Sequence, residues 1–163
     1  MTTGYGYYSS CEKVADYFIA LSNDTGSLIT NLKLQKILYY TQAWHLAYLN
    51  KEIFSEDFKA WVHGPVISSL YGTYKHFGWQ PIQRTDLTED KLKKIKEGFS
   101  EETFSIIETV TDGYFGLTAY ELERQTHAEK PWIDARGGIP DDQPSENIIS
   151  KESIKSYYSQ FID

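Results

Sequence analysis

The sequence predicts a mainly α fold: a compact single domain over residues 1–163, with about seven helices and a short β-hairpin or ribbon near residues 53–62. Three observations lead there. Apolar residues recur at three- and four-residue spacing in one segment after another, which gathers them on one helix face. Between those segments stand clusters of Gly, Pro, Asn, Asp and Ser, the residues that stop helices and turn the chain. Only Ile53 to Val62 changes period, with Phe58, Ala60 and Val62 alternating against Lys59, Trp61 and His63.

The first helix is expected from Ser9 or Ser10, because Ser9-x-x-Glu12 has capping-box spacing. Val14, Tyr17, Phe18 and Leu21 give it an apolar face, and Asn23 to Gly26 end it. Thr30 caps a second helix over Asn31 to Leu49 that is apolar around nearly its whole circumference, as a buried helix is. Asn31, Gln35, Gln42 and His45 form one polar stripe on it. An unpaired buried amide costs about 1–3 kcal/mol, so the stripe is either an internal hydrogen-bond network or a ligand-facing surface.

The alternating segment is expected to pair with Ile53-Phe54 and to lie on helices, since a lone two-stranded ribbon is marginal. Gly64-Pro65 is expected to open a third helix, because proline at the first helical position gives up an amide with no helical partner. Val66, Ile67, Leu70, Tyr71, Tyr74 and Phe77 make its stripe, and Gly78 stops it. Trp79 to Asp86 reads as a polar loop. Thr88 caps a short charged helix over Leu87 to Gly98, anchored by Leu92 and Ile95. Ser100 caps the next, Phe99 to Asp112, with Phe104, Ile107 and Val110 inward. Gly113 to Gly116 is a break. Thr118-x-x-Glu121 is a second capping box, opening a helix to about Gln125, and Pro131 opens another turn of helix ending near Arg136. Gly137 to Pro144 is the longest loop, and a last helix from Ser150 carries Ile154, Tyr157, Tyr158 and Phe161. No internal repeat and no domain linker stands out.

Composition narrows the function. The net charge of −7 argues against nucleic-acid binding, which draws on Lys/Arg clusters, and suits a basic protein partner. The basic cluster Lys91, Lys93, Lys94 and Lys96 reads first as a solvated helix face. A lone Cys11, no leader-like start and no run of about 18 apolar residues lead to the expectation of a soluble, cytoplasmic protein without membrane contact.

Catalytic signals are sparse. His45, His63, His76 and His127 lack metal-ligand spacing, so no metal and no cofactor is expected, although three of them could meet Glu129 or Asp134 only through the fold. Cys11 in a first helical turn is open to a lowered pKa but has no neighbouring base. The best enzyme reading is a small hydrolase using His63 and His127 for acid–base work beside a Gly64-Pro65 helix start that holds an anion.

Leu34 to Ala47 (LQKILYYTQAWHLA), Phe54, Ala60-Trp61-Val62-His63-Gly64-Pro65-Val66 and Leu70-Tyr71 together resemble the Panacea domain. This is the SocA-like antitoxin family, with phage-associated, GepA-like members. Leu122 to Trp132 resembles its second block, and Ile154 with Tyr157-Tyr158 its closing helix. The resemblance implies a mainly α antitoxin, phage or mobile-element associated, that neutralises a cognate protein toxin by direct binding and is no enzyme. A protease adaptor presenting a bound partner is the non-catalytic alternative; homo-oligomerisation stays open. The matched residues Gln42, His45, Trp61, His63, Gly64, Pro65, Thr126, His127 and Trp132 are candidates for scaffold or partner contact. For Trp61 and Trp132, core wedge and binding hot spot are equally open. Specificity is expected in Asn50 to Asp57, Pro140 to Asn147 and the Gly/Tyr-rich N-terminus, since a motif shared across partners serves the fold.

Overall fold

A computed structural model describes residues 10–162. In chain order it contains α1 (Cys11–Thr25), α2 (Asn31–Leu49), β1 (Phe58–Trp61), β2 (Gly64–Val66), α3 (Ser68–Tyr74) with a 3-10 turn at Lys75–Phe77, α4 (Glu89–Glu97), α5 (Glu101–Tyr114), α6 (Ala119–His127), α7 (Lys130–Arg136), β3 (Ile148–Ile149) and α8 (Lys151–Ser159). The mainly α prediction holds, with eight α-helices and a small antiparallel sheet among the described residues.

Helix starts follow their caps. The hydroxyls of Ser10, Thr30, Thr88, Ser100, Thr118 and Ser150 each accept a backbone N–H two or three residues on. Thr118 and Glu121 form the full reciprocal capping box. The box expected from Ser9 lies outside the described residues; Ser10 is the cap that α1 uses. Gly26 and Gly137 end α1 and α7 in the left-handed conformation, and Asn50 does the same for α2. The break expected at Gly113 is absent. A single glycine costs about 1 kcal/mol in a helix, and α5 carries it through to Tyr114.

The core surrounds α2. Leu34, Ile37, Leu38, Tyr39, Tyr40 and Ala43 are wholly buried, and α1, α5, α6, α8 and β2 pack on it from different sides. Aromatic rings fill much of the interior. Tyr40 stacks on Tyr114 at 4.1 Å, while Tyr39 meets Phe58 edge-on at 5.3 Å and Trp44 meets Tyr158 at 5.2 Å. Trp44 Nε1 donates to Tyr114 Oη at 2.9 Å, and the Tyr40 and Tyr158 hydroxyls both donate to Glu129 Oε1, so these tyrosines fill core volume with paired polar tips.

Two strand expectations are corrected. β1 pairs with β2 and with β3, in the order β2-β1-β3, and not with Ile53-Phe54. Gly64-Pro65 opens a strand, not a helix; α3 begins only at Ser68. Pro65 lies opposite Ala60 on the edge strand β2, where a missing amide is as harmless as at a helix start. Gly64 is paired with Trp61 across a two-residue turn, Val62-His63. Its φ of +103° lies where L-residues are strained, so glycine accommodates the hairpin's turn. No described helix is long and apolar enough to cross a membrane.

Candidate functional site

The polar stripe of α2 is an internal network. Asn31 Nδ2 donates to Tyr71 O at 3.1 Å, and Gln35 Oε1 accepts from Ile67 N at 2.9 Å. Lys36 Nζ donates to Pro65 O at 3.3 Å. Gln42 bridges the loop before the sheet, accepting from Ile53 N at 2.9 Å and donating to Phe54 O at 2.8 Å. His45 closes the series between Lys51 O, 2.7 Å from Nδ1, and Thr103 Oγ1, 2.9 Å from Nε2. Because a carbonyl only accepts, Nδ1 carries the proton and Nε2 accepts from the threonine. Burial holds the His45 pKa below its ordinary value, which keeps that neutral tautomer. As α2 advances from 31 to 45, its partners run back from 71 to 51. The helix therefore fastens the whole returning segment, hairpin included, along its length.

Lys36 is the unusual member of that series. It is fully buried, and desolvation lowers its pKa to about 7, opposed by the nearby Glu123 carboxylate. Its side chain fills the space in front of Gly64: a Cβ there would lie 2.6 Å from Lys36 Cε and 2.9 Å from Thr126 Oγ1. Thr126 is itself buried and donates to Glu123 O at 2.8 Å.

Trp132 is buried and donates from Nε1 to Trp61 O at 2.9 Å. His127 stacks on its ring at 3.9 Å, and burial, partly offset by Glu123 and a hydrogen bond with the Val62 backbone, lowers the His127 pKa. The Arg136 guanidinium lies over the Trp132 ring at 4.8 Å. Its guanidinium donates to Ala60 O at 2.8 Å, to Pro140 O at 2.7 Å and to Gln143 O. Those carbonyls tie the Gly137–Gln143 loop to β1 through one buried cation. Arg136 and Lys36 escape sequence reading because a cation on a helix is ordinarily solvent-facing.

An open groove of about 890 Å³ lies beside this packed layer. Its wall comes from the start of α2 (Thr30, Asn31, Leu32), the hairpin tip (Trp61, Val62, His63), Tyr71, the Gly78-Trp79 turn, the first turns of α6 (Ala119, Tyr120, Glu123) and Pro144 to Glu146. Trp61 and Tyr71 meet edge-on at 5.3 Å in its floor. Trp79 and Tyr120 on the wall are 92% and 66% exposed, unusual values for large aromatic side chains. His63 pairs with Glu123 at 3.1 Å and Lys59 with Glu146 at 3.1 Å on the same rim.

The nine sequence candidates thus separate. Trp61 and His63 line the groove. Gly64 and Pro65 are the second strand of the hairpin, Thr126, His127 and Trp132 pack against it, and Gln42 and His45 are buried clamps further along α2. Of the two equally open tryptophans, Trp132 is a core wedge and Trp61 has a half-buried ring at the groove. Among the candidate specificity segments, Pro144 to Glu146 reaches the groove while Asn50 to Asp57 does not line it; residues 1–9 lie outside the described residues. The sequence candidates did not include Trp79, Tyr120, Tyr71 or Glu123, although Trp79 stands out in a polar loop and Leu70-Tyr71 belongs to the family resemblance.

The groove does not bring His63 and His127 together: His63 lines it, while His127 stacks on Trp132 and does not. The expected Gly64-Pro65 helix start, and with it the anion site, is replaced by a strand. Cys11 is the reverse of an activated thiol: burial, then the Glu56 and Glu12 carboxylates, push its pKa up to about 12. Among the described residues no three His, Cys, Asp or Glu side chains gather as a metal ion requires.

Residues 34–133 match the model of the family described as antitoxin SocA-like, Panacea domain. No curated protein and no solved structure matches the chain. The matched segment contains α2 from Leu34, the hairpin, α6 and Trp132, and so every one of the nine candidate residues; Ile154 and Tyr157-Tyr158 of α8 fall beyond it. A match over more than half of the sequence places this chain in the SocA-like Panacea antitoxin family.

Proposed function

We propose that this protein is an antitoxin that neutralises a cognate toxin by binding it directly, in the cytoplasm and as one folded unit. Family membership supports the antitoxin role in general. The observation that carries direct binding is the open groove with Trp79 and Tyr120 presented to solvent, since exposed aromatics at a concave surface are the usual seat of binding energy. Of the sequence candidates, His45 and Gln42 clamp loops and His127 stacks on Trp132, which supports a structural role for them.

The test is co-expression with the product of the adjoining open reading frame. Growth arrested by that product alone should recover when this chain is present, and the two should co-purify. Toxicity left unrelieved, with no complex, refutes the proposal. Following the partner's lifetime separates occlusion, in which it is unchanged, from delivery to a protease, in which it falls.

A further inference from the structure

The groove has a chemical bias that goes beyond being apolar. Its lining includes Glu123 and Glu146 and neither lysine nor arginine. Glu146 is 68% exposed and Glu123 24%, and their present partners, Lys59 and His63, are surface groups. Exposed pairs of this kind contribute little and are readily exchanged for an incoming cation. The same lining holds Trp61, Tyr71, Trp79 and Tyr120, rings able to receive an apolar side chain or the face of a guanidinium, as Tyr120 already does from Arg124 at 5.9 Å.

Resting on the toxin-binding reading, we infer that this groove is where the toxin docks, and that it takes a toxin segment with an apolar or aromatic anchor flanked by lysine or arginine. Charge selects this occupant over the others. Nucleic acid needs cations, which the lining lacks. A second copy of a chain with net charge −7 brings its own excess of carboxylates to the same acidic rim. A cationic segment instead meets two carboxylates and a row of aromatic faces, and the whole-molecule charge accelerates its approach.

The probe is the purified product of the adjoining open reading frame, titrated against the full chain by calorimetry. Trp79→Ala and Tyr120→Ala should each weaken Kd by about tenfold or more, as central aromatic anchors do. Glu123→Gln with Glu146→Gln should weaken it by roughly three- to tenfold at low salt and flatten its salt dependence. Phe161→Ala, an exposed apolar position outside the groove, should leave Kd unchanged. Trp79 and Tyr120 are exposed on separate elements, so unchanged thermal melting of either variant certifies its fold and either alone suffices. If the unaltered chain binds and rescues growth while both aromatic variants bind equally well, the groove is not the docking site and the antitoxin reading survives. Retained aromatic effects with no response to the carboxylate changes refute the basic character of the segment. If the unaltered chain neither binds nor rescues, the antitoxin reading falls and this inference with it.

Discussion

Gly64→Ala should be among the most damaging single-methyl additions in this protein. The residue sits at φ +103°, and holding alanine there costs about 1–3 kcal/mol of backbone strain. The new Cβ would also stand 2.6 Å from Lys36 Cε and 2.9 Å from Thr126 Oγ1, both on buried side chains. Lys36 has little room to withdraw, since it is enclosed and its Nζ is held by Pro65 O at 3.3 Å. Overpacking of a filled interior adds about 1–3 kcal/mol, so the two effects together come to about 4 kcal/mol. For a chain of this size that corresponds to a fall in Tm of about 8–16 °C by calorimetry. The Lys36 contribution separates in a double-mutant cycle: in a Lys36→Ala background that contact is gone while the one with Thr126 stays, and Gly64→Ala should cost about 1–2 kcal/mol less. A Tm within about 2 °C of the unaltered protein refutes the whole reasoning; equal costs in the two backgrounds refute the part assigned to Lys36.

Lys36→Met should stabilise the protein more at about pH 6 than at about pH 10, by a difference on the order of 3 kcal/mol in urea unfolding. The folded pKa of about 7 lies below the unfolded value, so the unfolded chain holds the extra proton between them and the native protein gains stability as pH rises through that window; equal effects at both pH values refute it. Thr103→Val leaves His45 Nε2 buried without its donor and should cost about 1–2 kcal/mol; an unchanged denaturation midpoint counts against the tautomer assigned to His45. Arg136→Met removes the donors to Ala60, Pro140 and Gln143. Limited proteolysis should then cut at Pro140 to Ser145 faster than in the unaltered chain, and an unchanged digestion rate would mean that the loop is held by other contacts.

Helix ends were legible from the chain alone because their causes are local. Thr30, Thr88, Ser100, Thr118 and Ser150 each satisfy amides within three residues of themselves, so a reader of the sequence sees both partners at once. Burial of α2 was legible for the same reason, since a helix apolar on all sides has no solvent-facing option. The family was legible too: the Trp61 to Val66 block and Leu34 to Ala47 are contiguous signals, and they fall within the matched residues.

What the sequence left undecided needed a third dimension. Pro65 shows the limit most plainly: a missing amide is equally harmless at a helix start and on an edge strand, and only the pairing with Ala60 decides between them. The polar stripe of α2 had two readings until its partners at 51 to 71 came into place. Lys36 and Arg136 read as ordinary solvated cations, because burial of a side chain is a property of what packs over it. The groove is the clearest case. Its wall joins residues from the start of α2 to Glu146, and nothing in their separate stretches of chain says that they meet. Local chemistry therefore determined where the elements begin, end and face, while the surface offered to a partner arose only when distant segments packed together.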